Sequence, residues 1–215
     1  LAASLCLGFS LTNKVTKIWT ITLCLTCPFI IFSSAIIRME ALGVLLSSIA
    51  IYQITRYKKS NKQHIILGVI ASLCLMTHPM LVACSTSLGI IMIMRGSKAF
   101  TIFLLSALIV LTPYVIYIMQ DYQIFFLQIE PQLARKTARS ILTLSFSYFM
   151  QIVPLTLLSF ALLLKIKKNT ELKWFLGISV LLTLFLILQS QEFNYHVYAM
   201  PYVLTILGLY FDVSS

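Results

Sequence analysis

Charge is scarce in this chain. Only 10% of its 215 residues are Asp, Glu, Lys or Arg, and no more than 6 of them are acidic. A soluble domain carries about a quarter of its residues charged, so a water-facing surface of ordinary size cannot be built from this composition. Glycine and proline are also few, at 7 and 6, which leaves little material for a loop-rich or low-complexity chain. Motifs with a defined chemistry are missing as well. There is no nucleotide-binding glycine loop, no G-x-S-x-G, no H-E-x-x-H and no paired carboxylates placed for general acid–base work. Cys24 and Cys27 form a lone C-x-x-C. It has no second pair and no histidine cluster beside it, so all five cysteines read as small apolar residues.

What is abundant is hydrocarbon. Hydrophobic residues make up 60% of the chain, and the mean hydropathy is +0.96. The apolar runs are continuous, whereas a transmembrane barrel needs alternating segments of about 10 residues. The composition therefore predicts an all-α, polytopic helical membrane protein, an integral multi-pass protein of the cell inner membrane if bacterial, with residues 1–215 forming one transmembrane helical domain. Leu1–Thr12 is too short to span and looks like the tail of a helix, so the expectation is a fragment lacking N-terminal spans.

After a short loop, Asn13–Lys17, about eight crossings follow: Ile18–Ile37, Ala41–Thr55, Ile65–Met76, Met80–Met94, Ala99–Met119 (broken by Pro113), Ile141–Leu164, Trp174–Leu188 and Val197–Phe211. Several of them are short against a hydrocarbon layer of about 30 Å. Gln120–Ser140 is too polar to span. Tyr122, Phe125, Phe126 and Ile129 recur near helical spacing within it, which predicts a helix lying in the interface and a second short one opening at Pro131.

The charges sort by alternate loops. The connections 14–17, 56–62, 95–98 and 165–173 hold 12 Lys and Arg, with Glu171 and the C-terminal Asp212 as the acids of that side. The other set (38–40, 77–79, 120–140, 189–196) holds Arg38, Arg135, Lys136 and Arg139 against Glu40, Asp121, Glu130 and Glu192. By the positive-inside rule the basic set is cytoplasmic. That rule also accounts for the net charge of +10 without a nucleic-acid partner.

The candidate site therefore opens on the non-cytoplasmic side. Arg38 and Glu40 sit where one apolar run ends and the next begins. A charge there costs about 2.5–3.5 kcal/mol on insertion scales and is usually paired or functional. The fork of Arg38 matches phosphate oxygens. Glu40 has three readings: it orients Arg38, accepts from a sugar hydroxyl, or caps the following helix. His78, before Pro79, is either a ligand donor or the filler of a polar helix junction. Arg135 and Arg139, with Lys136, meet lipid headgroups or grip a lipid-linked phosphate. Tyr195 and His196, with Tyr198, form an interfacial aromatic belt or reach a phosphate or sugar. His64 lies among surface charges and reads as solvated. Two distant histidines without a third ligand give no support for a divalent metal, and no cofactor is expected.

Three stretches carry a resemblance: IIRMEALGVLLSSIAIY at 36–52, LGVIASLCLMTHPMLVACSTSLGIIMIM at 67–94 and EFNYHVYAMPYVLTILGLY at 192–210. Together they resemble the integral-membrane GT-C glycosyltransferases, in the protein O-mannosyltransferase and aminoarabinose-transferase-like branch. That group often reads Arg-Pro-Glu or Arg-Pro-Asp where this chain has Arg38-Met39-Glu40, so Met39 is a departure. The resemblance implies sugar transfer from a polyprenyl-phosphate donor to an acceptor on the non-cytoplasmic face. It places the catalytic acidic residue in a first outer loop upstream of this sequence. The partners it implies are membrane lipid, the lipid-linked sugar donor and an acceptor. A polytopic transporter or lipid flippase with an outward-facing polar cavity is the alternative, and it predicts internal repeats that the chain does not display. A structural membrane subunit is a third reading.

Overall fold

Glu40 and Pro79 mark the two places where the chain's helices are most clearly set by single residues. The computed structural model describes residues 2–9, 11, 14–26, 39–55, 60–127, 130, 157–166, 170–190 and 197–214. Among these the chain is helical throughout, with no strand. Helices α1 (Ala2–Phe9) and α2 (Lys14–Thr26) come first. The stretch Asn13–Lys17, expected as a loop, is helical from Lys14 on. Helix α3 (Met39–Thr55) carries Glu40 in its first turn, where a carboxylate complements the positive end of the helix.

Helix α4 (Asn61–Thr77) returns antiparallel to α3. Ser60 is extended at its N-cap, the Gln63 amide nitrogen donates to the Ser60 carbonyl at 3.0 Å, and the Gln63 side chain donates to the Gln53 carbonyl near the end of α3. At its far end α4 stops before Pro79, because a residue preceding proline is pushed out of the helical region. His78 is accordingly extended, with φ −160 and ψ 140. Pro79 opens a 3-10 turn, Pro79–Leu81, where its missing N–H costs nothing, and the chain re-enters an α-helix as α5 (Val82–Met94). Gly96, at φ 110, makes the left-handed turn into α6.

Helix α6 (Ser97–Gln120) runs for 24 residues, about 36 Å at 1.5 Å per residue. The expected break at Pro113 does not occur; the proline lies inside a continuous helix, at the cost of one backbone hydrogen bond. Residues 122–127 are helical beyond it, as the aromatic spacing predicted, and Tyr122, Phe126 and Leu127 are exposed. Residues 157–165 form a further helical stretch, followed by α7 (Thr170–Ser190) and α8 (Met200–Ser214).

The packing uses small residues where helices cross closely. A Cβ at Gly68 on α4 would collide with the Ser106 hydroxyl and the Phe103 carbonyl of α6. One turn on, the Ser72 hydroxyl donates to the Ala107 carbonyl at 2.8 Å. Helix α5 joins the same face, its Ser85 hydroxyl donating to the Ala71 carbonyl at 2.8 Å. Small residues and serine-to-backbone bonds are how helices associate when no water is there to drive apolar collapse. Helix α8 is buried from Met200 to Ile206 on all sides. Helix α7 presents Leu172, Phe175, Leu176, Val180 and Ile187 inward as one stripe.

Two described helices, α6 and α7, are long and apolar enough to cross a membrane. The runs Ala41–Thr55, Ile65–Met76 and Met80–Met94, expected as crossings, lie in helices of 17, 17 and 13 residues. Helix α6 leaves much of its apolar surface uncovered, with Leu105, Ile109, Ile116, Tyr117 and Met119 all more than half exposed along it.

Candidate functional site

Helices α3, α4 and α5 alternate in direction, so the turns between helices fall at two ends of the molecule. One end is basic. Arg95, between α5 and α6, is bound to Glu171 in the first turn of α7: its Nε donates to Glu171 Oε2 at 3.0 Å and its Nη2 at 2.6 Å. His64, in the first turn of α4, lies at the same end and is buried, which corrects the expectation that it is solvated. Burial pushes its pKa below the usual imidazole value, and the charge of Arg95 lowers it further. Arg95, Glu171 and His64 thus meet at one end; residues 56–59 and 167–169 of the basic loops lie outside the described residues.

The other end gathers three of the quoted sequence stretches. Glu40 lies in the first turn of α3 and is buried. Gly43, one turn later on the same face, lies against Tyr198: a Cβ there would fall 2.6 Å from the ring's Cε1 and 3.1 Å from Leu81 Cδ1. Tyr198 comes from the turn that precedes α8 and is 1% exposed. Its ring stacks on the imidazole of His78 with centroids 5.0 Å apart and planes at 23°. Tyr198 therefore does not belong to an interfacial belt; it is a buried plate between the start of α3 and the helix break at His78. The sites expected at Arg38, Arg135, Arg139, Tyr195 and His196 lie outside the described residues.

His78 is held by the break it creates. Its Nδ1 accepts from the Met80 amide at 3.1 Å, capping the 3-10 turn. In the neutral ring this puts the proton on Nε2 and makes that atom the donor. His78 thus fills the polar helix junction, at half-buried depth.

Sequence reasoning missed a polar column running inward from this end. The spacing Glu40, Gly43, Ser47 keeps one face of α3 on Tyr198 and Tyr202, themselves one turn apart. The Tyr202 hydroxyl donates to Ser47 Oγ at 3.2 Å, and both residues are buried. The buried thiol of Cys84 on α5 adjoins Ser47 and Tyr202, and the thiol of Cys74 on α4 adjoins Cys84. A buried hydroxyl left unmatched costs about 1–3 kcal/mol, so these groups constrain one another's positions. The i, i+3, i+7 spacing on α3 was the available signal. The partners on α4, α5 and α8 are 27 or more residues away in the sequence and had none.

Among the described residues no group of three or more His, Cys, Asp or Glu is placed to hold a metal ion. The end brings together a buried carboxylate, an imidazole and an aromatic plate. Comparison with known proteins finds no matching family, no matching characterised protein and no matching solved structure.

Proposed function

We propose that this chain is a multi-pass membrane protein whose less basic end binds a polyprenyl-phosphate-linked sugar on the non-cytoplasmic face, as part of a glycosyltransferase. The observation that carries the reading is the meeting of Glu40, Gly43, His78 and Tyr198 at that end. These four residues come from the three stretches that resemble the GT-C enzymes. His78 Nε2 suits a phosphate or sugar oxygen, and Glu40 suits a sugar hydroxyl. Arg38, adjacent to α3 in the sequence, supplies the fork for the phosphate. The exposed apolar face of α6 supports the membrane setting.

The resemblance assigns no catalytic carboxylate within these stretches, so the test reads donor binding rather than turnover. The purified protein in detergent is titrated with a polyprenyl phosphate sugar, the bare polyprenyl phosphate and the polyprenol. The phosphate is expected to bind more tightly than the alcohol. His78→Ala should weaken both phosphates about tenfold, the loss of one hydrogen bond to a charged group. Glu40→Gln should weaken only the sugar-bearing ligand. Equal affinity for polyprenol and polyprenyl phosphate would remove the reading.

A further inference from the structure

At the basic end, remote from Glu40 and His78, a groove of about 560 Å³ runs between the helical stretch 157–165 and α7. That size falls within the range of small-ligand sites, about 300–1,000 Å³. Its lining is polarised along its length. Thr170 and Lys173 stand at one end, and Phe160, Leu163, Gly177 and Leu181 make the rest apolar. From Thr170 to Leu181 the groove follows α7 for about 16 Å at 1.5 Å per residue, close to the depth of one leaflet of a hydrocarbon layer about 30 Å thick. Trp174, half exposed, sits beside the polar end, at the level where indole rings settle in an interface.

Lys173 is fixed in place. Its ammonium donates to the Leu164 carbonyl at 3.2 Å and to the Ile166 carbonyl at 3.3 Å, so it closes the end of the 157–165 helix. An ammonium has three donors, and among the described residues these two carbonyls engage two of them. Lys165, exposed at the end of the 157–165 helix, adds a second positive charge. The acid beside them, Glu171, is already neutralised by Arg95. Among the described residues the polar end of the groove therefore carries uncompensated positive charge above an apolar trough one leaflet deep.

We infer that this groove is a binding site for one anionic phospholipid of the leaflet facing the basic loops. One acyl chain lies along Leu163, Gly177 and Leu181, and the phosphate meets Lys173 and Lys165. The inference rests on the membrane reading but not on the sugar-donor site. A zwitterionic lipid would place its own ammonium among these lysines, so the site discriminates by headgroup charge.

The test uses Trp174 as the reporter. The chain has two tryptophans, Trp19 and Trp174, and Trp19→Phe leaves one beside the groove. The protein is reconstituted into phosphatidylcholine vesicles holding a small fraction of acyl-brominated phosphatidylglycerol or, separately, acyl-brominated phosphatidylcholine. Half-quenching should need about fivefold less of the anionic lipid, the preference that one lysine near an anionic surface confers. Leu181→Phe, at an exposed lining position, should fill the trough and abolish the preference, and Lys173→Gln should reduce it. Lys165→Gln, which leaves both carbonyl bonds of Lys173 intact, should reduce it without loosening the helix end. Equal quenching by the two lipids would overturn the site. So would a preference that survives Leu181→Phe but vanishes in salt, which would be diffuse surface attraction. Failure of the protein to float with the vesicles would instead count against the membrane reading itself.

Discussion

Arg95 and Glu171, 76 residues apart, form the ion pair that ties the α5–α6 turn to the start of α7, with Arg95 2% exposed and Glu171 31%. Both nitrogens of the arginine converge on one carboxylate oxygen. Removing one partner of a buried pair leaves the other uncompensated, which costs about 3–5 kcal/mol. Glu171→Gln should therefore lower stability by about 3 kcal/mol, at the low end because the glutamate is partly solvated. Arg95→Met with Glu171→Leu should recover much of that loss. The check is the unfolding midpoint of the purified protein in detergent. Equal stability of Glu171→Gln and the parent would show that the pair contributes nothing.

The pairing also makes the orientation testable. Ser60 and Asp121 are both exposed and lie at opposite ends. In a cysteine-free background, Asp121→Cys should react with a membrane-impermeant thiol reagent added to intact cells, while Ser60→Cys should react only after permeabilisation. The reverse pattern would invert the assignment made from the basic loops.

His64 predicts a pH dependence. Its folded pKa is lowered, first by burial and then by Arg95, from an ordinary value of 6.5. As pH falls through 6.5, the unfolded chain takes up a proton that the folded chain refuses, so the unfolded state binds more protons and stability falls. The contribution is fully present above 6.5 and is lost progressively below it. Thermal midpoints measured between about pH 7.5 and about pH 5.5 should decline in that direction. His64→Asn should flatten the decline, and an unchanged slope in that variant would assign it to other groups.

Gly68 sets the distance between α4 and α6. Any side chain there meets the Phe103 carbonyl and the Ala107 amide, which are backbone and cannot swing away. Gly68→Val should destabilise by about 1–3 kcal/mol through overpacking. Ser72→Ala, which removes the hydroxyl and with it the bond to the Ala107 carbonyl across the crossing and the longer one to the Gly68 carbonyl, should cost about 0.6 kcal/mol, the mean for interhelical bonds in membranes. The two variants are compared by unfolding in the same detergent. A larger effect from Ser72→Ala would mean that the hydrogen bond, not the close approach, holds the crossing.

The helical class, the position of most helices and the sorting of loops by charge were determined by the sequence alone. Each rests on a local property: length of apolar run, a proline such as Pro79, or the count of lysines between runs. Glu40 and His78 were legible for the same reason, since each interrupts hydrocarbon where a polar group needs a purpose. Three matters were decided only by tertiary structure. Pro113 reads locally as a break, yet α6 continues through it. His64 reads as one more polar residue in a basic loop, yet the fold closes over it beside Arg95. Tyr198 reads as part of a belt, yet it packs on His78 and Gly43, which stand 120 and 155 residues earlier in the sequence. Periodicity tells which face of a helix is apolar, but not which distant helix will cover it. The column from Tyr202 through Ser47 to Cys84 and Cys74 joins four helices, so it comes into existence only when all four have packed.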